Sequence, residues 1–471
     1  MFDDTQAFLS SADLDAIHET SIKLLENVGV DFPLPEAVDV FKRHDVRTEG
    51  WRVYLDQRTV EEAVRQAPPQ FIIHARNSER SVVVGGEEVV FAPGYGAPFL
   101  IDLDVGQRKP TMDDYRNLVR LADALPNQDM SGYMLVKPSD VPPEKAHLHM
   151  LHANIVHSDK PFMGSDGMPG ARHSVEMAGI LFGDQEGLRE KPALIGLVNP
   201  LSPLSFSDEM LAALMEYARW RQPLIVASMV GAGSTGPITL AGVVAQQNAE
   251  VLAGITLAQL VSPGTPVVYG STSTNTDMKT GALPIGSPEL AVLIVATAQM
   301  AHYYNLPCRS GGCLTDSHLP DAQAGYESMR SLLTTVNAGV DFVLHACGIL
   351  SSFLAFSYEK MVIDDEICGI VRRFRRGLTV TSEELAYEVI AGVGPGGNYM
   401  TEEQTYRLCR TAFWLPAIST RLGLSEWLNR GSLDAAHRAR QRWQKLLAEH
   451  EAPALDTTTA RQLERYVEAH L

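Results

Sequence analysis

The sequence predicts an α/β fold of the (β/α)8 TIM-barrel class, with an N-terminal α+β extension and a C-terminal helical extension. The chain has 471 residues, enough for one barrel with additions at its ends. Seven short apolar runs recur along its middle, and their starts lie 30 to 43 residues apart. A parallel strand with its crossover helix and two loops needs a segment of that length.

Each run is short, uninterrupted and apolar, as buried parallel strands are. The runs are SGYMLV from Ser131, PFMGS from Pro161, ALIGLV from Ala193, PLIVASM from Pro223, PVVYGS from Pro266, PCRSGG from Pro307 and VDFVLHA from Val340. Seven strands favour a closed barrel of eight with one strand left unplaced. A doubly wound open sheet is the alternative, although no GxGxxG motif follows any run.

Helical segments separate the runs. Ser207 is placed to cap the helix DEMLAALMEYARW, and Ser287 with Pro288 at the first helical position opens ELAVLIVATAQMAHYY. Regular alternation of strand and helix indicates a parallel sheet that is covered by helices. We therefore assign residues 106–375 to the barrel.

The two ends of the chain show other patterns. Residues 1–105 contain the helix DLDAIHETSIKLLENVG and the alternating stretches FIIHA and SVVVGG…EVVFAPG, which predict an α+β extension ending in a hairpin near the barrel mouth. Thr111 and Asp114 form a capping box for the next helix. Residues 376–471 are predicted to be helical. Their amphipathic segment AAHRARQRWQKLLAEH is expected outside the barrel or at a subunit contact, so a homo-oligomer stays open.

Composition excludes several classes of partner. The formal net charge of -18 argues against binding to nucleic acid or to anionic membranes. The N-terminus lacks the basic and apolar regions of a signal peptide, and no run reaches the roughly 18 apolar residues of a membrane span. We therefore expect a cytoplasmic protein. The five cysteines form no CxxC pair, so no disulfide framework is indicated.

Barrel active sites lie at the C-terminal ends of the strands and in the loops that follow. The segments in these positions are rich in Gly, Ser, Thr and Pro, which let the backbone approach a ligand. They span 198–207, 228–237, 269–289, 309–325 and 345–359. One such segment alone would be an ordinary turn. Five in corresponding positions indicate a binding site.

Several of these segments also resemble a known family. The matching runs are NPLSPLSFS, TLAGVVAQQNAEVLAGITLAQL, YGSTSTNTDMKTGALPIGSPELA, DSHLPDAQAGYE and FSYEKMVIDDEI. In their order along most of the chain they resemble the trimethylamine methyltransferase family. The resemblance implies a (β/α)8 barrel that passes a methyl group from an amine to a corrinoid, converting cob(I)alamin to methylcobalamin on a separate corrinoid carrier protein. It implies no cofactor bound by this chain.

One position departs from the name-giving members of that family. They carry pyrrolysine just before the S/T-D-x-x-x-P-D stretch, where this sequence has Leu314 followed by Thr315 and Asp316. Leucine has no nitrogen and cannot form an adduct with an amine, so trimethylamine is not the expected substrate. The sequence resembles the branch without pyrrolysine, which is associated with quaternary amines such as glycine betaine.

A quaternary amine as substrate is consistent with the absence of pyrrolysine. Its leaving group is a neutral tertiary amine, so attack by Co(I), a strong nucleophile, needs no general acid. The protein then supplies orientation and excludes water. We assign Leu314, Asp316 and Glu359 to the catalytic region. The two carboxylates are expected to balance the cation, hold loops or contact the carrier protein.

Aromatic faces and a carboxylate donor are predicted to bind the substrate. Each aromatic face contributes about 0.5–2 kcal/mol to binding of a cation. Arg309, in the sixth predicted strand, and His345, at the end of the last, are candidate donors to a carboxylate. The candidate aromatic residues near the mouth are Tyr95, Phe99, Tyr133, Phe353, Phe356 and Tyr358. Core packing is the alternative role for each of them.

Three further signals do not support a site. His147, His149 and His152 fall in a predicted helix, where His147 does not share the face of the other two, so no metal site is predicted. The run GVGPGG at 392–397 lacks the GK[ST] of a P-loop. No GxSxG marks a nucleophile elbow.

The leading hypothesis is therefore a corrinoid-protein-dependent methyltransferase that acts on a small quaternary amine. Two alternatives stay open. The first keeps the demethylation but uses a folate or a thiol as methyl acceptor. A thiol would call for zinc, for which the sequence offers no ligand set. The second is a non-catalytic protein that binds quaternary amines.

Overall fold

A computed structural model describes residues 7–471 of the chain. Its centre is a sheet of seven parallel strands in the order β1–β7–β6–β5–β4–β3–β2. The strands are β1 (Val90–Phe91), β2 (Phe162–Met163), β3 (Leu194–Val198), β4 (Leu224–Ser228), β5 (Val267–Ser271), β6 (Cys308–Arg309) and β7 (Phe342–Val343). Six of the seven predicted runs thus contain a strand of the sheet.

The run from Ser131 forms no strand, but it lies between the two edges of the sheet. The N–H of Asp129 donates to the carbonyl of Phe91 in β1 over 2.8 Å. On the other side, the N–H of Met163 in β2 donates to the carbonyl of Gly132 over 3.0 Å. Segment 129–132 therefore joins both edge strands of the sheet.

Eight helices follow in the connections between these segments. They are α1 (Met112–Ala124), α2 (Pro143–His157), α3 (Gly170–Phe182), α4 (Asp208–Arg219), α5 (Leu240–Val261), α6 (Pro288–Tyr303), α7 (Ala322–Asn337) and α8 (Tyr358–Arg375). The predicted caps at Thr111, Ser207 and Ser287 are confirmed, because each side chain accepts a hydrogen bond from an N–H three residues later. Short 3-10 turns occur at Ser78–Arg80 and Glu186–Arg189.

The N-terminal region packs its helices on α5. These helices are Ser11–Asn27, Pro35–Arg43 and Gln57–Gln66. Helix α5 is apolar around most of its circumference because the sheet covers one side and the N-terminal helices cover another. A buried polar link crosses this contact, since Asn248 of α5 donates to Ser21 over 2.9 Å.

Small sheets surround the main one. Val30–Asp31, Arg47–Glu49 and Arg52–Tyr54 form one antiparallel sheet. The stretches FIIHA and SVVVGG pair as Phe71–Ile73 with Val82–Val84, whereas EVVF contributes β1 to the main sheet. A four-stranded sheet and a two-stranded one lie near the C-terminal ends of the main strands. Their strands are Phe99–Asp102, Gly106–Arg108, Ile349–Leu350 and Ala355–Phe356, and Gly231–Ala232 with Thr274–Asn275.

The C-terminal region is helical, as predicted. Its helices are Ser382–Leu385, Tyr387–Val393, Glu403–Leu408, Leu424–Asn429, Ala435–Glu449 and Thr457–His470. The amphipathic helix Ala435–Glu449 packs against α8 and α1 on the outside of the sheet. Within residues 7–471, no helix combines the length and the apolar character that crossing a membrane requires.

Candidate active site

The loops after β6 and β7 meet at the C-terminal edge of the main sheet. A Cβ added at Gly312 would lie 2.6 Å from the carbonyl oxygen of His345, so only glycine permits this approach. The N–H of Cys313 donates to the same oxygen over 2.9 Å. This contact fixes the start of one loop against the start of the other.

His345 is held in a defined protonation state. Its backbone is in the left-handed region, with φ 67°, and its Nδ1 accepts the backbone N–H of Tyr95 over 3.1 Å. Burial, followed by the charge of Arg309, lowers the pKa of His345 well below its usual value. The imidazole is therefore neutral with its proton on Nε2. No residue between 7 and 471 accepts a hydrogen bond from that N–H, which leaves it free for a ligand.

Arg309 is a buried cation without a carboxylate partner. Its side chain is 2 % exposed, and its Nη1 donates to the carbonyl of Ser271 over 3.3 Å. The Nε is buried without an acceptor. Burial lowers the pKa of Arg309 to about 10, so the group stays charged near neutral pH. Within residues 7–471, no Asp or Glu forms an ion pair with it.

Aromatic rings lie close to His345. The rings of Tyr95 and Tyr133 lie 6.2 Å apart between centroids, and Phe353 lies 4.7 Å from the ring of His345. Tyr133 donates to Ser165 over 2.9 Å, whereas the hydroxyl of Tyr95 is buried without a partner. The structure therefore brings together Tyr95, Tyr133, His345 and Phe353 from three connections, since His345 and Phe353 both follow β7.

Asp166 belongs to the same surroundings and was not among the sequence candidates. It follows β2. Burial raises the pKa of both Tyr95 and Tyr133, and the charge of Asp166 raises it further. Burial raises the pKa of Asp166 itself. The charge of Lys137 opposes that shift, so an acidic group with a lysine nearby lies close to the two rings. Its position directly after a predicted strand was the only signal in the sequence.

Leu314 and Asp316 lie in the loop after β6. Leu314 is completely buried in the apolar core. The carboxylate of Asp316 accepts the N–H of Ile285 over 2.8 Å, the N–H of Gly286 over 2.9 Å and the hydroxyl of Ser352 over 2.7 Å. Asp316 thus holds the loops after β5 and β7 to its own loop.

Tyr358 and Glu359 lie at a different place, where α8 meets the C-terminal helix. The ring of Tyr358 stacks on Trp443 at 4.8 Å, and its hydroxyl donates to Asp114 over 3.1 Å. Glu359 accepts the indole N–H of Trp443 over 2.9 Å and the hydroxyl of Ser357 over 2.9 Å. We call these contacts the α8 seam. All of their polar groups are satisfied within the protein.

Phe356 and Phe99 pack in the four-stranded sheet. Phe356 is completely buried, and its ring lies where a Cβ on Gly94 would be 2.8 Å away. Phe99 packs against the apolar residues Leu350 and Ala355. Phe356 therefore supports the loop that carries Tyr95, and the contacts of both rings are with apolar residues of the protein.

A buried ion pair lies beneath the site and was also missed by the sequence reasoning. Lys360 of α8 donates to Asp364 over 2.6 Å, to Ser328 over 2.9 Å and to the carbonyl of Cys313 over 3.4 Å. Asp364 accepts the N–H of Gly348 over 2.9 Å. The pair thus links the loops that carry Leu314 and His345.

The buried thiols provide no nucleophile at this site. Burial raises the pKa of Cys313 and Cys347 well above the usual value, so neither is a thiolate near neutral pH. His147 in α2 hydrogen bonds to His173 over 2.8 Å. Within the described part of the chain, no group of three or more His, Cys, Asp and Glu side chains is arranged to hold a metal ion.

The chain matches a family model along almost its whole length. The model described as "Trimethylamine methyltransferase (MTTB)" matches residues 3–470. A glycine betaine methyltransferase from Desulfitobacterium hafniense strain Y51 is 47 % identical over 460 residues, covering 98 % of this chain and 96 % of that protein. A proline betaine:corrinoid methyltransferase from Eubacterium limosum is 32 % identical, covering 98 % of this chain and 97 % of that protein.

Solved structures show the same fold. The chain aligns with the hydroxylamine complex of MtmB with a TM-score of 0.54 and 13 % identity, covering 94 % of this chain and 90 % of the other. It also aligns with the Methanosarcina barkeri monomethylamine methyltransferase, with a TM-score of 0.50 and 94 % coverage of both chains. At 13 % identity these likenesses bear on the fold alone.

Proposed function

Because the chain belongs to the trimethylamine methyltransferase family, we propose that it removes a methyl group from a small quaternary amine that carries a carboxylate, with glycine betaine as the leading substrate. The methyl acceptor is the cobalt of a corrinoid on a separate carrier protein. Relatives named for glycine betaine and proline betaine support the substrate class. The name of the second relative also supports the corrinoid acceptor over a folate or a thiol.

The observation that carries this proposal is the unpaired cation at Arg309. Burying a charge without a partner is costly, so proteins pair such charges or reserve them for a ligand. The neutral His345 offers a free Nε2–H in the same place. Together the guanidinium and the imidazole N–H supply the donors that a substrate carboxylate requires.

The rings of Tyr95, Tyr133 and Phe353 suit the other end of a betaine. A quaternary ammonium donates no hydrogen bond, so aromatic faces and a nearby negative charge are the groups that recognise it. Asp166 supplies that charge. In this proposal Arg309 and His345 bind the carboxylate of the betaine, and the aromatic rings with Asp166 bind its ammonium group.

The proposed methyl transfer needs neither a covalent adduct with the protein nor a general acid. Leu314 has no nitrogen, so no covalent adduct with an amine forms at this position. A quaternary amine leaves as a neutral tertiary amine and takes no proton from the protein. The corrinoid supplies the nucleophile when its carrier protein docks. This chain binds the betaine, orients one methyl group toward the mouth and excludes water.

We also infer that the sheet acts as a closed (β/α)8 barrel. Segment 129–132 hydrogen bonds to β1 on one side and to β2 on the other, which is the position of the eighth strand. Closure places the loops after β1, β2, β6 and β7 around one mouth. Active sites of this barrel class lie at that end.

A coupled assay tests the proposed function. Purified chain, a cognate corrinoid protein in its Co(I) state and glycine betaine are mixed, and methylcobalamin formation is followed by absorbance while dimethylglycine is quantified by mass spectrometry. We expect both products in equal amounts. Tight betaine binding without either product would identify a binding protein and contradict the enzymatic proposal. Equal turnover of trimethylamine would contradict the assignment to quaternary amines.

A further inference from the structure

Four neighbouring strands of the main sheet contribute one residue each to a layer on one face of the sheet. In the register of the strands, Ala227 of β4 pairs with Gly270 of β5, and Gly270 pairs with Arg309 of β6. The last residue of β3 pairs with the residue before Ala227, so Asn199, which follows β3, continues this register. We call these four residues the Asn–Arg layer.

The side chains of the Asn–Arg layer point away from the surrounding helices. Side chains alternate between the two faces of a strand. In β5, the hydroxyl of Tyr269 donates to Asn248 of α5 over 2.9 Å. In β3, a Cβ added at Gly196 would lie 2.5 Å from the ring of Tyr217 in α4. Positions 269 and 196 thus face the helices. The layer lies at odd distances from them along the chain, so it faces the interior of the barrel that we infer.

The Asn–Arg layer is not filled by its own side chains. Interiors of this barrel class are usually packed with bulky branched residues. Here the two positions between Asn199 and Arg309 are an alanine and a glycine, the smallest residues. Leu197, which precedes Asn199 on the same face of β3, is partly exposed although strands pair with β3 on both sides. These observations indicate space for a small ligand between Asn199 and Arg309.

Both polar residues of the layer have a buried atom without a partner. The Oδ1 of Asn199 and the Nε of Arg309 are buried, and neither has a hydrogen-bond partner within the part of the chain that the structure describes. Such atoms are rare in folded proteins and call for an explanation, of which a bound ligand is one. A terminal amide that turns by half a rotation presents its Nδ2 in place of its Oδ1. Asn199 then donates to an anion that also binds Arg309.

We propose that Asn199 binds the carboxylate of the substrate from the side opposite to Arg309, so that the carboxylate lies within the Asn–Arg layer and the ammonium group lies nearer the mouth. The positions of the other groups support this orientation. Asn199 directly follows β3 and Arg309 belongs to β6, whereas Asp166 and Tyr95 lie three and four residues beyond the ends of β2 and β1. The methyl groups of the substrate are then directed toward the side on which the carrier protein docks.

This inference rests on the proposed function, since it assumes a betaine, and calorimetric titration with glycine betaine and choline tests it. Asn199→Asp keeps the shape of the side chain but replaces a donor by an anion, which repels a carboxylate and is able to pair with Arg309. We expect glycine betaine to bind at least about 10-fold more weakly, as loss of a hydrogen bond to a charged group implies. Choline, which has no carboxylate, should not lose affinity. Asn199→Ala adds no charge and should also weaken glycine betaine alone.

The matched control is Asn275→Asp, which introduces the same charge beyond the end of β5. Asn275 is partly exposed, as Asn199 is. Its Oδ1 already accepts the hydroxyls of Ser287 and Thr274 over 2.7 and 3.3 Å, and a carboxylate accepts them equally well. This variant should keep the ratio of the two affinities, which separates a direct contact at Asn199 from a general effect of negative charge.

The outcomes distinguish this inference from the proposed function. Stronger binding of both ligands by Asn199→Asp would place Asn199 beside the ammonium group and overturn the inference. Unchanged binding of glycine betaine by Asn199→Asp and Asn199→Ala would overturn it as well. In both cases the wild type still binds glycine betaine, so the proposed function stands. A wild type that binds neither ligand would overturn the proposed substrate class and this inference with it.

Discussion

The mouth of the sheet and the α8 seam both contain residues that the sequence analysis proposes for the site, yet they differ in one physical respect. At the seam, the polar groups of Tyr358, Glu359 and Trp443 all have partners within the protein. At the mouth, the Nε of Arg309 is buried without an acceptor, and the one hydrogen bond of the His345 ring within the described residues is made by its Nδ1. Satisfied buried groups stabilise the fold, whereas unsatisfied ones are available to a ligand. We therefore interpret the seam residues as structural and propose the mouth residues as binding residues.

The largest expected effect is a loss of folding stability when the buried ion pair of Lys360 and Asp364 is broken. Lys360→Met should lower the free energy of unfolding by about 3–5 kcal/mol, because it leaves the buried Asp364 without its cation. Arg309→Met is the matched control, since it also removes a buried cation but leaves no carboxylate unpaired. We expect it to preserve stability. Urea denaturation followed by circular dichroism measures both, and equal losses would show that the two cations play the same role.

The next effect is on ligand binding at an aromatic face. Tyr95→Ala should weaken glycine betaine binding by about 0.5–2 kcal/mol through loss of a cation–π contact. Tyr95→Phe should retain the binding, because the ring rather than its unpartnered hydroxyl meets the cation. Isothermal titration calorimetry separates these variants. A loss of similar size in Tyr95→Phe would assign the contact to the hydroxyl instead.

A smaller effect is expected at Leu314. Leu314→Met nearly conserves volume, so it should cost less than about 1.5 kcal/mol of stability and keep most of the turnover of glycine betaine. Neither the variant nor the wild type should demethylate trimethylamine. The measurement is product formation with each amine in turn. Trimethylamine turnover by the wild type would show that an apolar residue at this position does not exclude that substrate.

The smallest expected effect is that of pH on the binding of glycine betaine. The pKa of His345 is lowered well below its usual value and that of Arg309 is about 10, so neither group changes charge between about pH 6 and pH 8.5. The preference for glycine betaine over choline should be constant across that range in calorimetric titrations, because both ligands carry the same ammonium group and differ only in the carboxylate. A preference that rises toward pH 6 would mean that an imidazolium binds the carboxylate.

Part of this picture was predictable from the sequence. The apolar runs predict the strands β2 to β7. Arg309 and His345 are proposed from their positions within the sixth predicted strand and at the end of the last. Strand β1 has only two residues, and the sequence pattern assigns it wrongly to the N-terminal extension. Its partner in the sheet, β7, lies far along the chain, so local periodicity cannot show the pairing. Contacts such as that of Glu359 with Trp443 join residues 84 positions apart. Sequence periodicity carries no information on such contacts.

Asp166, Lys360 and Asp364 were not predicted for the same reason: their roles depend on contacts between residues far apart in the sequence. Asp166 is a single acidic residue in a glycine-rich turn, and nothing in the sequence shows that Tyr95 and Tyr133 lie beside it. Lys360 and Asp364 are four residues apart on α8, a spacing that is common on solvent-exposed helices. Only the fold shows that this pair is buried and that it holds two loops of the site.

The most direct test is whether Arg309 recognises a carboxylate. Calorimetry compares glycine betaine with choline, which has the same ammonium group but a neutral hydroxyl, on the wild type and on Arg309→Met. The wild type should prefer glycine betaine by about 1.5–3 kcal/mol, the value of a hydrogen bond to a charged group, and the preference should largely disappear in the variant. Equal binding of the two ligands by the wild type, or an unchanged preference in Arg309→Met, would contradict the assignment of this cation to the substrate.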